Sequence, residues 1–388
     1  MLNKALAIES QLVAWRRTFH HHPELGFQEV HTAARAAAIL AELGCRVKTG
    51  VGKTGIVAEL GGGKPLIAIR ADMDALPILE ANDASYASEN PGVMHACGHD
   101  AHTAMVLGAA ALLAGEKLTG GMRFFIQPSE EANDREGLSG AMRMIQDGAM
   151  QDVDRVIALH VDPATPVGSI RLESGPASGG VDSFFAAIYG QGGHGASPHT
   201  GIDPIYITGH VLLALHGIVS RRLSPFAPAV VSVGSLHGGQ AENVIPDRVD
   251  LSGTNRFLEK DVQTQIHAEV ERALSIARLM GGDYKLEIQI GTPPMHNDPG
   301  VVQVMRQAAG DLLGVEHVLP PEDGLGAEDF GCFSEIAPGA MFSLGCKIEG
   351  DERHLHNPRF DLDERCLPVG AAILAETALR LAKQLASA

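Results

Sequence analysis

The sequence has 388 residues, and at about 100–200 residues per domain this length predicts roughly two domains. Hydrophobic residues make up 45% and charged residues 20%, a composition that is typical of globular proteins and excludes a disordered or fibrous chain. The 30 Lys and Arg against 47 Asp and Glu leave a net charge of -17, which argues against a nucleic-acid-binding protein, because such a protein needs basic residues to neutralise phosphates.

Short apolar runs alternate with helical patterns in the first part of the chain. In order, the sequence predicts a helix at Asn3–Arg17, a strand at Leu66–Arg70, a helix at His102–Ala114, a strand at Met122–Gln127, a helix at Ser139–Gln146 and a strand at Arg155–Val161. Continuous apolar strands that alternate with helices are typical of a parallel sheet covered on both faces. The longest apolar run, Ala104–Ala114, is far shorter than the roughly 20 residues that cross a bilayer, so it predicts a buried helix.

The order of predicted elements changes in the middle of the chain. Here the sequence predicts a strand at Asp182–Tyr189, a helix at Asp203–Arg221, two strands at Ala229–Leu236 and Arg248–Phe257, a helix at Asp261–Leu279 and a strand at Tyr284–Ile290. This β-α-β-β-α-β order is that of a split, ferredoxin-like unit about the size of one small domain.

The first pattern returns after Pro293 and Pro294. The sequence there predicts a helix at Pro299–Leu313, a strand at Ala340–Leu344 and a helix at Asp363–Leu385. We therefore predict an α/β domain made of residues 1–180 and 294–388, interrupted by a smaller α+β domain at residues 181–293.

Targeting signals and disulfide patterns are absent from the sequence. The N-terminal segment carries Lys4, Glu9, Arg16 and Arg17 instead of the apolar run of a signal peptide, and no N-x-[ST] acceptor occurs. The five cysteines are odd in number and scattered, which argues against a disulfide framework. These observations predict a cytoplasmic protein that has no membrane partner.

Residues with metal-binding side chains lie near the carboxyl ends of the predicted strands, where parallel α/β sheets bind ligands. Cys97 and His99 are two residues apart in a loop, so in an extended backbone both side chains point to the same side, and Gly98 between them permits a tight turn. A thiolate and an imidazole together suit Zn²⁺, and His160 and an acidic pair follow neighbouring strands. The alternative is a buried structural cysteine beside an incidental histidine.

The acidic pair follows the predicted strand Met122–Gln127. In an extended backbone Glu130 and Glu131 point to opposite sides, so one can ligate a metal while the other takes a proton from a water that the metal activates. The alternative is a solvated acidic turn that continues through Asp134 and Glu136.

A cysteine nucleophile assisted by a histidine is the main rival chemistry, and Cys97 and His99 are the residues that it would use. Their i,i+2 spacing makes a mutual hydrogen bond awkward, whereas convergence on one ion is easy. The spacing therefore favours a metal site.

Motifs spread over nearly the whole chain resemble those of the peptidase M20 metallohydrolases. In chain order they are His22-Pro23-Glu24-Leu25-Gly26-Phe27, Arg70-Ala71-Asp72-Met73-Asp74-Ala75-Leu76-Pro77, Cys97-Gly98-His99-Asp100, Gln127-Pro128-Ser129-Glu130-Glu131, Leu159-His160, Gly192-Gly193-His194-Gly195-Ala196-Ser197-Pro198-His199, Asn243-Val244-Ile245-Pro246, Glu328-Asp329-Phe330 and Leu355-His356-Asn357-Pro358-Arg359-Phe360-Asp361. The branch that the chain resembles most is subfamily D, the amidohydrolases that include hippurate and indole-acetyl-amino-acid hydrolases.

The resemblance implies a two-metal site and a general base. The implied metal ligands are Cys97, His99, Glu131, His160 and His356. Cys97 would bridge two divalent ions, for which zinc is the best match to a thiolate and manganese, cobalt or nickel are alternatives. Glu130 would be the general base that takes a proton from the attacking water and returns it to the leaving amine.

The resemblance also implies the architecture and the residues that contact substrate. It implies a two-domain α/β metallohydrolase, in which a catalytic domain with a mixed, mostly parallel sheet carries an inserted ferredoxin-like lid that dimerises. In the lid, His194 and Asn243, together with Arg256, would contact the scissile carbonyl or the substrate carboxylate. Arg256 is the expected partner of the carboxylate, and a surface ion pair is the alternative for it.

Three positions depart from the family pattern. Asp162 stands where an aromatic residue is usual, the stretch Ala132–Leu138 is longer and more charged than the expected turn, and Asn255 replaces an apolar residue before Arg256. The first two are candidates for lining the pocket, so the substrate of a particular relative does not transfer to this chain.

The sequence as a whole predicts a dinuclear metal-dependent amidohydrolase that cleaves N-acyl amino acids or related small amides. A dipeptidase or carboxypeptidase that uses the same machinery is one alternative, and a non-catalytic ligand-binding homologue is another; Glu130 and the implied ligands argue against the latter. We expect a homodimer formed through the lid, in which His194 acts on the metals of the neighbouring subunit, or else within its own chain.

Overall fold

The protein is described by a computed structural model that covers residues 1–321 and 324–387. Two compact units make up this part of the chain. The first unit contains residues 1–177, 296–321 and 329–387, and the second contains residues 178–295 and 324–328. Across these residues, no helix combines the length and the apolar character that a membrane crossing requires.

The helices and strands follow one another in three segments. Up to residue 178 they are α1 Leu2–Leu6, α2 Glu9–His21, α3 Val30–Glu42, β1 Arg46–Val51, β2 Gly55–Gly61, β3 Leu66–Asp72, α4 His99–Ala114, β4 Gly121–Gln127, α5 Gly140–Gln146, β5 Arg155–Pro166, β6 Ile170–Arg171 and β7 Gly175–Ser178. From residue 180 they are β8 Gly180–Tyr189, β9 Gly193–His194, α6 Pro204–Arg221, β10 Ala229–Gly238, β11 Val244–Ile245, β12 Arg248–Phe257, α7 Lys260–Leu274, α8 Ile276–Leu279 and β13 Asp283–Ile290. From residue 295 they are β14 Met295–Asn297, α9 Pro299–Leu313, β15 Val318–Leu319, α10 Phe330–Ser334, β16 Gly339–Lys347 and α11 Cys366–Ala386.

A mixed sheet forms the centre of the first unit. Among the described residues its order is β1-β2-β4-β3-β5-β16-β6-β15. The central strands β4, β3, β5 and β16 are parallel neighbours, whereas β1 and β2 add an antiparallel edge. Every residue of β3 is buried, as expected of a central strand covered on both faces. This confirms the predicted mixed, mostly parallel sheet, and it places the carboxyl ends of β3, β4 and β5 at one edge.

The helix that begins at the candidate site is buried on almost all sides. α4 packs against α2 and α11, and its alanine-rich run is buried as the sequence predicts. Two predicted helix starts are wrong, since α4 begins at His99 and α11 begins at Cys366. The helix predicted at Asn3–Arg17 is two helices, α1 and α2, and the sequence analysis did not identify α3, β1 or β2.

The second unit has the predicted β-α-β-β-α-β order, in which α6 and α7 are the two helices. Its strands form an antiparallel sheet in the order β10-β12-β8-β13. The start of α6 is well defined, because the Asp203 carboxylate accepts hydrogen bonds from the backbone N–H groups of Ile205 and Tyr206, and Pro204 occupies the first turn. α6 and α7 pack on the sheet over a separate apolar core.

Candidate metal centre

Three neighbouring strands bring the predicted metal ligands and the acidic pair to one edge of the sheet. β3 ends at Asp72, β4 ends at Gln127 just before the acidic pair, and β5 carries His160. Parallel strands place their carboxyl ends side by side, so segments that are far apart in sequence meet here.

The Cys97–His99 segment has a different backbone from the extended loop that the sequence analysis assumed. Gly98 has φ 89°, in the left-handed region that favours glycine, and α4 begins at the next residue. A Cβ atom at position 98 would lie only 2.4 Å from Val161 Cγ2, so no larger residue fits. The reversal at Gly98, and not an extended backbone, brings Cys97 and His99 together.

Cys97 faces His160 across the sheet edge. The Cys97 Sγ atom lies 3.4 Å from His160 Nε2. His160 Nδ1 lies 2.8 Å from the carbonyl oxygen of Val161, which can only accept, so Nδ1 carries the proton. In the neutral ring this leaves the Nε2 lone pair directed at the sulfur, as a shared metal ion would require.

His99 has a similar arrangement and supplies the most direct test of whether a metal fits. Its Nδ1 atom lies 3.1 Å from Asp74 Oδ1, and its buried Nε2 atom has no hydrogen-bond partner among the described residues. Buried polar atoms are rarely left without a partner, and a carboxylate that bonds one ring nitrogen is the usual arrangement behind a metal-bound histidine. The orphaned nitrogen therefore fits a metal ligand.

A second group of donors contains Glu131 and His356. Their ligand atoms and Cys97 Sγ all lie within 4.8 Å of one another, and Glu131 Oε1 is 3.0 Å from His356 Nε2. The backbone N–H of Glu131 donates to Asp74 Oδ2 at 3.1 Å, so the same aspartate supports ligands in both groups. All five predicted ligands therefore meet at one place, in two groups that share Cys97.

Glu130 also lies beside the predicted ligands, although the backbone there is not extended as predicted. The backbone bends at Glu130 and Glu131 instead of continuing extended, so the alternation of side chains assumed for an extended chain does not apply here. Ligand atoms of His99, Glu130 and Glu131 all lie within 4.8 Å of one another. A carboxylate at this distance can serve as a base toward a water held by the same group.

His102 lies in the same cluster but has both ring nitrogens occupied. Nδ1 is 2.6 Å from Asp72 Oδ1, and Nε2 accepts the backbone N–H of Val161 at 3.0 Å. Burial lowers the pKa of His102 to about 4, which keeps the ring neutral. The sequence analysis gave this residue no role, although it follows His99 by one turn of α4 and so shares its face.

Burial and neighbouring charges determine the protonation of Cys97 and His99. Burial raises the pKa of the Cys97 thiol well above its ordinary value, although His99 opposes the shift. For His99, burial lowers the pKa, but the charge of Asp72 and the hydrogen bond to Asp74 oppose it and the net pKa is raised. Binding of a cation would displace these protons, since metals bind the thiolate and the neutral imidazole.

A buried carboxylate holds the turn that precedes the acidic pair. Ser129 has φ 43°, a conformation that is strained for a residue with a side chain. Its N–H donates to Glu29 Oε1 at 2.8 Å, and its carbonyl accepts the N–H of Gly140 at 2.9 Å. Its hydroxyl donates to the carbonyl of Ala132 at 2.7 Å. Glu29 thus helps to position the two glutamates, a role that the sequence analysis missed because nothing in the local pattern links residues 29 and 129.

Glu29 is expected to make stability depend on pH. Burial raises the pKa of Glu29 from its ordinary value of 4.5 to about 7, and the charge of Asp74 adds to this, although hydrogen bonds from Thr54 and Ser129 oppose it. Between those two values the folded protein keeps a proton that the unfolded chain has lost, so this group's contribution to stability is full below about pH 4.5 and declines as pH rises to 7. The Glu29→Gln variant should therefore gain roughly 2–4 kcal/mol relative to wild type between pH 5 and pH 8.

Urea unfolding of both proteins at the two pH values, with a chelator present, measures this gain. A difference between variant and wild type that is the same at pH 5 and pH 8 would contradict it.

Two departures from the family pattern have local structural explanations. Asp162 accepts hydrogen bonds from the N–H of Ala164 at 2.9 Å and from the hydroxyl of Thr165 at 2.5 Å. In the stretch 132–138, Asp134 accepts from the N–H groups of Glu136 and Leu138 at 2.9 and 3.2 Å. Both carboxylates therefore order their own turns.

The residues expected to contact substrate lie in the second unit. His194 and Val244 are paired on β9 and β11, and the N–H of Gly195 donates to the carbonyl of Asn243 at 2.8 Å, so His194 and Asn243 are neighbours. Arg256 lies on β12 and is half-buried, and its guanidinium has no hydrogen bond or ion pair within residues 1–321 and 324–387. Burial lowers its pKa. The surface ion pair considered as an alternative for Arg256 is not present among these residues.

Several known proteins are similar to this chain over nearly its full length. A family model described as peptidase family M20/M25/M40 matches residues 68–380. Thermostable carboxypeptidase 2 of Saccharolobus solfataricus is 37% identical over 391 residues, which cover 98% of each chain. N-acetyl-L-cysteine deacetylase of Bacillus subtilis is 38% identical over 382 residues, covering 96% of this chain and 89% of that protein. The crystal structure of Bacillus subtilis YXEP, a dinuclear metal binding peptidase from the M20 family, has a TM-score of 0.84 at 34% identity, covering 97% of this chain and 99% of that chain.

Proposed function

Because this chain belongs to the amidohydrolase branch of peptidase family M20, a family of dinuclear metal hydrolases, we propose that it hydrolyses the amide bond of N-acyl amino acids or related small amides. The observation that carries the proposal is the meeting of one thiol, three imidazoles and two carboxylates at the sheet edge. A relative named for deacetylation of an N-acetylated amino acid supports the substrate class.

The donor set suits two divalent ions. The residues that would hold them are Cys97, His99, Glu131, His160 and His356. When bound, such ions polarise a carbonyl group and lower the pKa of water. Sulfur and nitrogen donors favour zinc, and manganese, cobalt or nickel are the alternatives that we retain.

Glu130 is the proposed proton carrier. It accepts a proton from the attacking water as the new C–O bond forms, and it returns that proton to the amine nitrogen as the C–N bond breaks. Its carboxylate lies close to ligand atoms of His99 and Glu131, so a water bound beside those two residues would be within reach of the base.

His194, Asn243 and Arg256 are the proposed substrate contacts. His194 and Asn243 would hydrogen-bond the carbonyl oxygen as it gains negative charge, and Arg256 would bind the substrate carboxylate with two parallel hydrogen bonds. The half-buried guanidinium without an ionic partner supports this role for Arg256.

Removal of the substrate's charge is expected to reduce catalysis through Arg256. Methyl-ester or amide forms of a substrate should lose roughly 2–4 kcal/mol of transition-state binding, seen as a fall of about 30- to 1,000-fold in kcat/KM. The Arg256→Met variant should have the same kcat/KM for the acid and for its ester. Arg248→Met is the matched control, because Arg248 lies on the same strand but already pairs with Asp250 at 2.5 Å. Equal kcat/KM for acids and esters in the wild type would exclude Arg256 as the clamp.

The substrate class itself is tested by a panel of N-acyl amino acids, dipeptides and longer peptides, with metal content measured on the same preparation. We expect hydrolysis of N-acyl amino acids to dominate. Preference for peptides cleaved at the C-terminus would favour the carboxypeptidase alternative, which the name of the Saccharolobus solfataricus relative supports. No turnover by metal-loaded protein across the panel would favour the binding-protein alternative.

The proposed dimer would form through the second unit. β10 is an edge strand, and Val230 and Leu236 on it are 37% and 44% exposed. On α6, Tyr206 and Leu213 are 62% and 75% exposed and lie two helical turns apart on one face. Exposed apolar side chains on one helix face, beside a strand edge that no other described strand pairs, are suited to a two-fold contact with a second copy.

In such a dimer we expect His194 to act on the metals of the partner subunit. Glu130→Gln and His194→Ala should each be inactive alone, but a mixed dimer would contain one site with both native residues. Subunit exchange should therefore restore one working site per mixed dimer, or up to about half of the activity of a wild-type dimer. Light scattering of tagged chains shows whether subunits have exchanged. If they have exchanged and the mixture is still inactive, His194 acts within its own chain.

A further inference from the structure

We propose that His21, His22 and Glu89 form an additional divalent-metal site on the first unit. These residues are not among the ligands of the candidate metal centre. Their three ligand atoms all lie within 4.8 Å of one another. The family motifs and the proposed reaction give His21 and Glu89 no role.

The three donors lie on two backbone segments that hydrogen bonds hold together. His21 is the last residue of α2, and His22 leaves the helix with φ -126° and ψ 60°. The N–H of Glu89 donates to the carbonyl of His21 at 2.9 Å, and Asn90 Nδ2 donates to the carbonyl of Pro23 at 2.7 Å. The donors are therefore brought together by the fold and do not depend on long flexible side chains alone.

The tautomer of His21 directs a lone pair at Glu89. His21 Nδ1 lies 2.7 Å from the carbonyl oxygen of Ala87, which can only accept, so Nδ1 carries the proton. In the neutral ring Nε2 then has only a lone pair, yet it lies 3.0 Å from Glu89 Oε1, which also has only lone pairs. Two such atoms approach closely when a cation lies between them or when the ring binds a second proton.

The spacing of the donors matches a metal ion. Zinc bonds of about 2.0–2.2 Å in tetrahedral geometry place nitrogen and oxygen ligands roughly 3.4 Å apart. The observed distances, 3.0 Å from His21 Nε2 to Glu89 Oε1 and 3.8 Å from His22 Nδ1 to Glu89 Oε2, lie on either side of this value. One carboxylate facing two imidazoles is also a donor set that zinc, nickel and copper(II) accept.

Exposure of the site indicates reversible binding. The side chains of His21, His22 and Glu89 are 31%, 53% and 62% exposed. Water would complete the coordination shell, and the ion would exchange with solvent, unlike an ion at the largely buried Cys97 group. A surface ion pair between a protonated histidine and Glu89 is the competing explanation, and exposed pairs of this kind contribute little to stability.

Metal stoichiometry tests the proposal without relying on activity. Wild type, His22→Ala and Glu89→Gln are dialysed against the same free Zn²⁺ concentration, and zinc per chain is measured. Both variants should bind one ion fewer than wild type and should hydrolyse substrate equally well. His317→Ala is the matched control, because the side chain of His317 is 44% exposed and faces one carboxylate, that of Glu316, at 3.9 Å. It should bind as much zinc as wild type.

Equal zinc uptake by wild type, His22→Ala and Glu89→Gln would overturn the proposal. The Cys97→Ala background separates this site from the candidate metal centre. The Cys97→Ala variant should still bind zinc at the surface site, and the double variant Cys97→Ala/His22→Ala should lose that zinc. If Cys97→Ala alone leaves zinc uptake unchanged while His22→Ala lowers it, the surface site stands and the assignment of the candidate centre fails.

Discussion

Glu130→Gln is expected to lower kcat by about 10²–10⁴-fold while leaving the metal content and KM close to those of wild type. Glutamine keeps the size and hydrogen-bonding shape of glutamate, but it cannot accept the proton of the attacking water. Because the ligand atoms of His99 and Glu131 lie beside Glu130 but come from other side chains, the substitution leaves the proposed ligands in place. Steady-state kinetics and metal analysis of one preparation measure both quantities.

Glu136→Gln is the matched control for this variant. Glu136 belongs to the loop after the acidic pair, its side chain is 74% exposed, and it pairs with Arg143 at 2.7 Å. We expect its kcat to equal that of wild type. A Glu130→Gln enzyme with wild-type kcat would remove Glu130 from the reaction, and one that lost its metal would mean that Glu130 is a ligand.

Removal of the metal, or of one sulfur or imidazole donor, is expected to abolish activity. Chelation should reduce turnover to the background rate, and added divalent ion should restore it. Cys97→Ala and His160→Ala should lose bound metal, because Sγ and Nε2 lie 3.4 Å apart and serve the same group of donors. Without the ion, the reaction loses several kcal/mol of charge stabilisation.

Cys45→Ala is the control for the loss of a buried thiol. Cys45 is 8% exposed, against 7% for Cys97, and it belongs to the apolar core. It should therefore keep its metal and its activity, whatever its effect on stability. Full turnover by a preparation in which metal removal has been verified would refute the proposed mechanism.

The sequence was sufficient to predict most of the candidate metal centre. Cys97, His99 and His160 could be found because their side chains are rare donors placed next to predicted strand ends. What failed was local backbone geometry, since Gly98 reverses the chain and the acidic pair sits in a bend. These side chains meet in the structure, but not through the extended backbone that the sequence analysis assumed.

The residues behind the ligands could not be predicted from sequence. Asp74 supports His99 and Glu131, and Glu29 holds the N–H of Ser129, through contacts between segments that are distant in the chain. Periodicity reports which face of an element is buried, but it does not report which polar atom a buried carboxylate will meet. Such pairings become visible only when the strands are in place.

Two of the missed elements, α3 and β1, were missed for different reasons. In α3 the buried residues Ala33, Ala36 and Leu40 recur every three or four positions, so a helical pattern was present and could have been identified. β1 is mostly exposed and polar, with Lys48, Thr49 and Gly50 in sequence, so it lacked the apolar alternation by which a strand is recognised.

The interrupted layout of the first unit has a consequence for biosynthesis. β5 pairs with β16, although all of residues 178–295 lie between them, and α11 packs on α4 from the far end of the chain. On the ribosome the main segment of the second unit is therefore complete, and free to fold, before the central sheet of the first can close. The candidate ligand His356 emerges later still, so full metal coordination is possible only after residue 356 has been translated. A nascent chain released before β16 is made would leave this edge of β5 unpaired, and an unpaired edge of a buried strand favours aggregation.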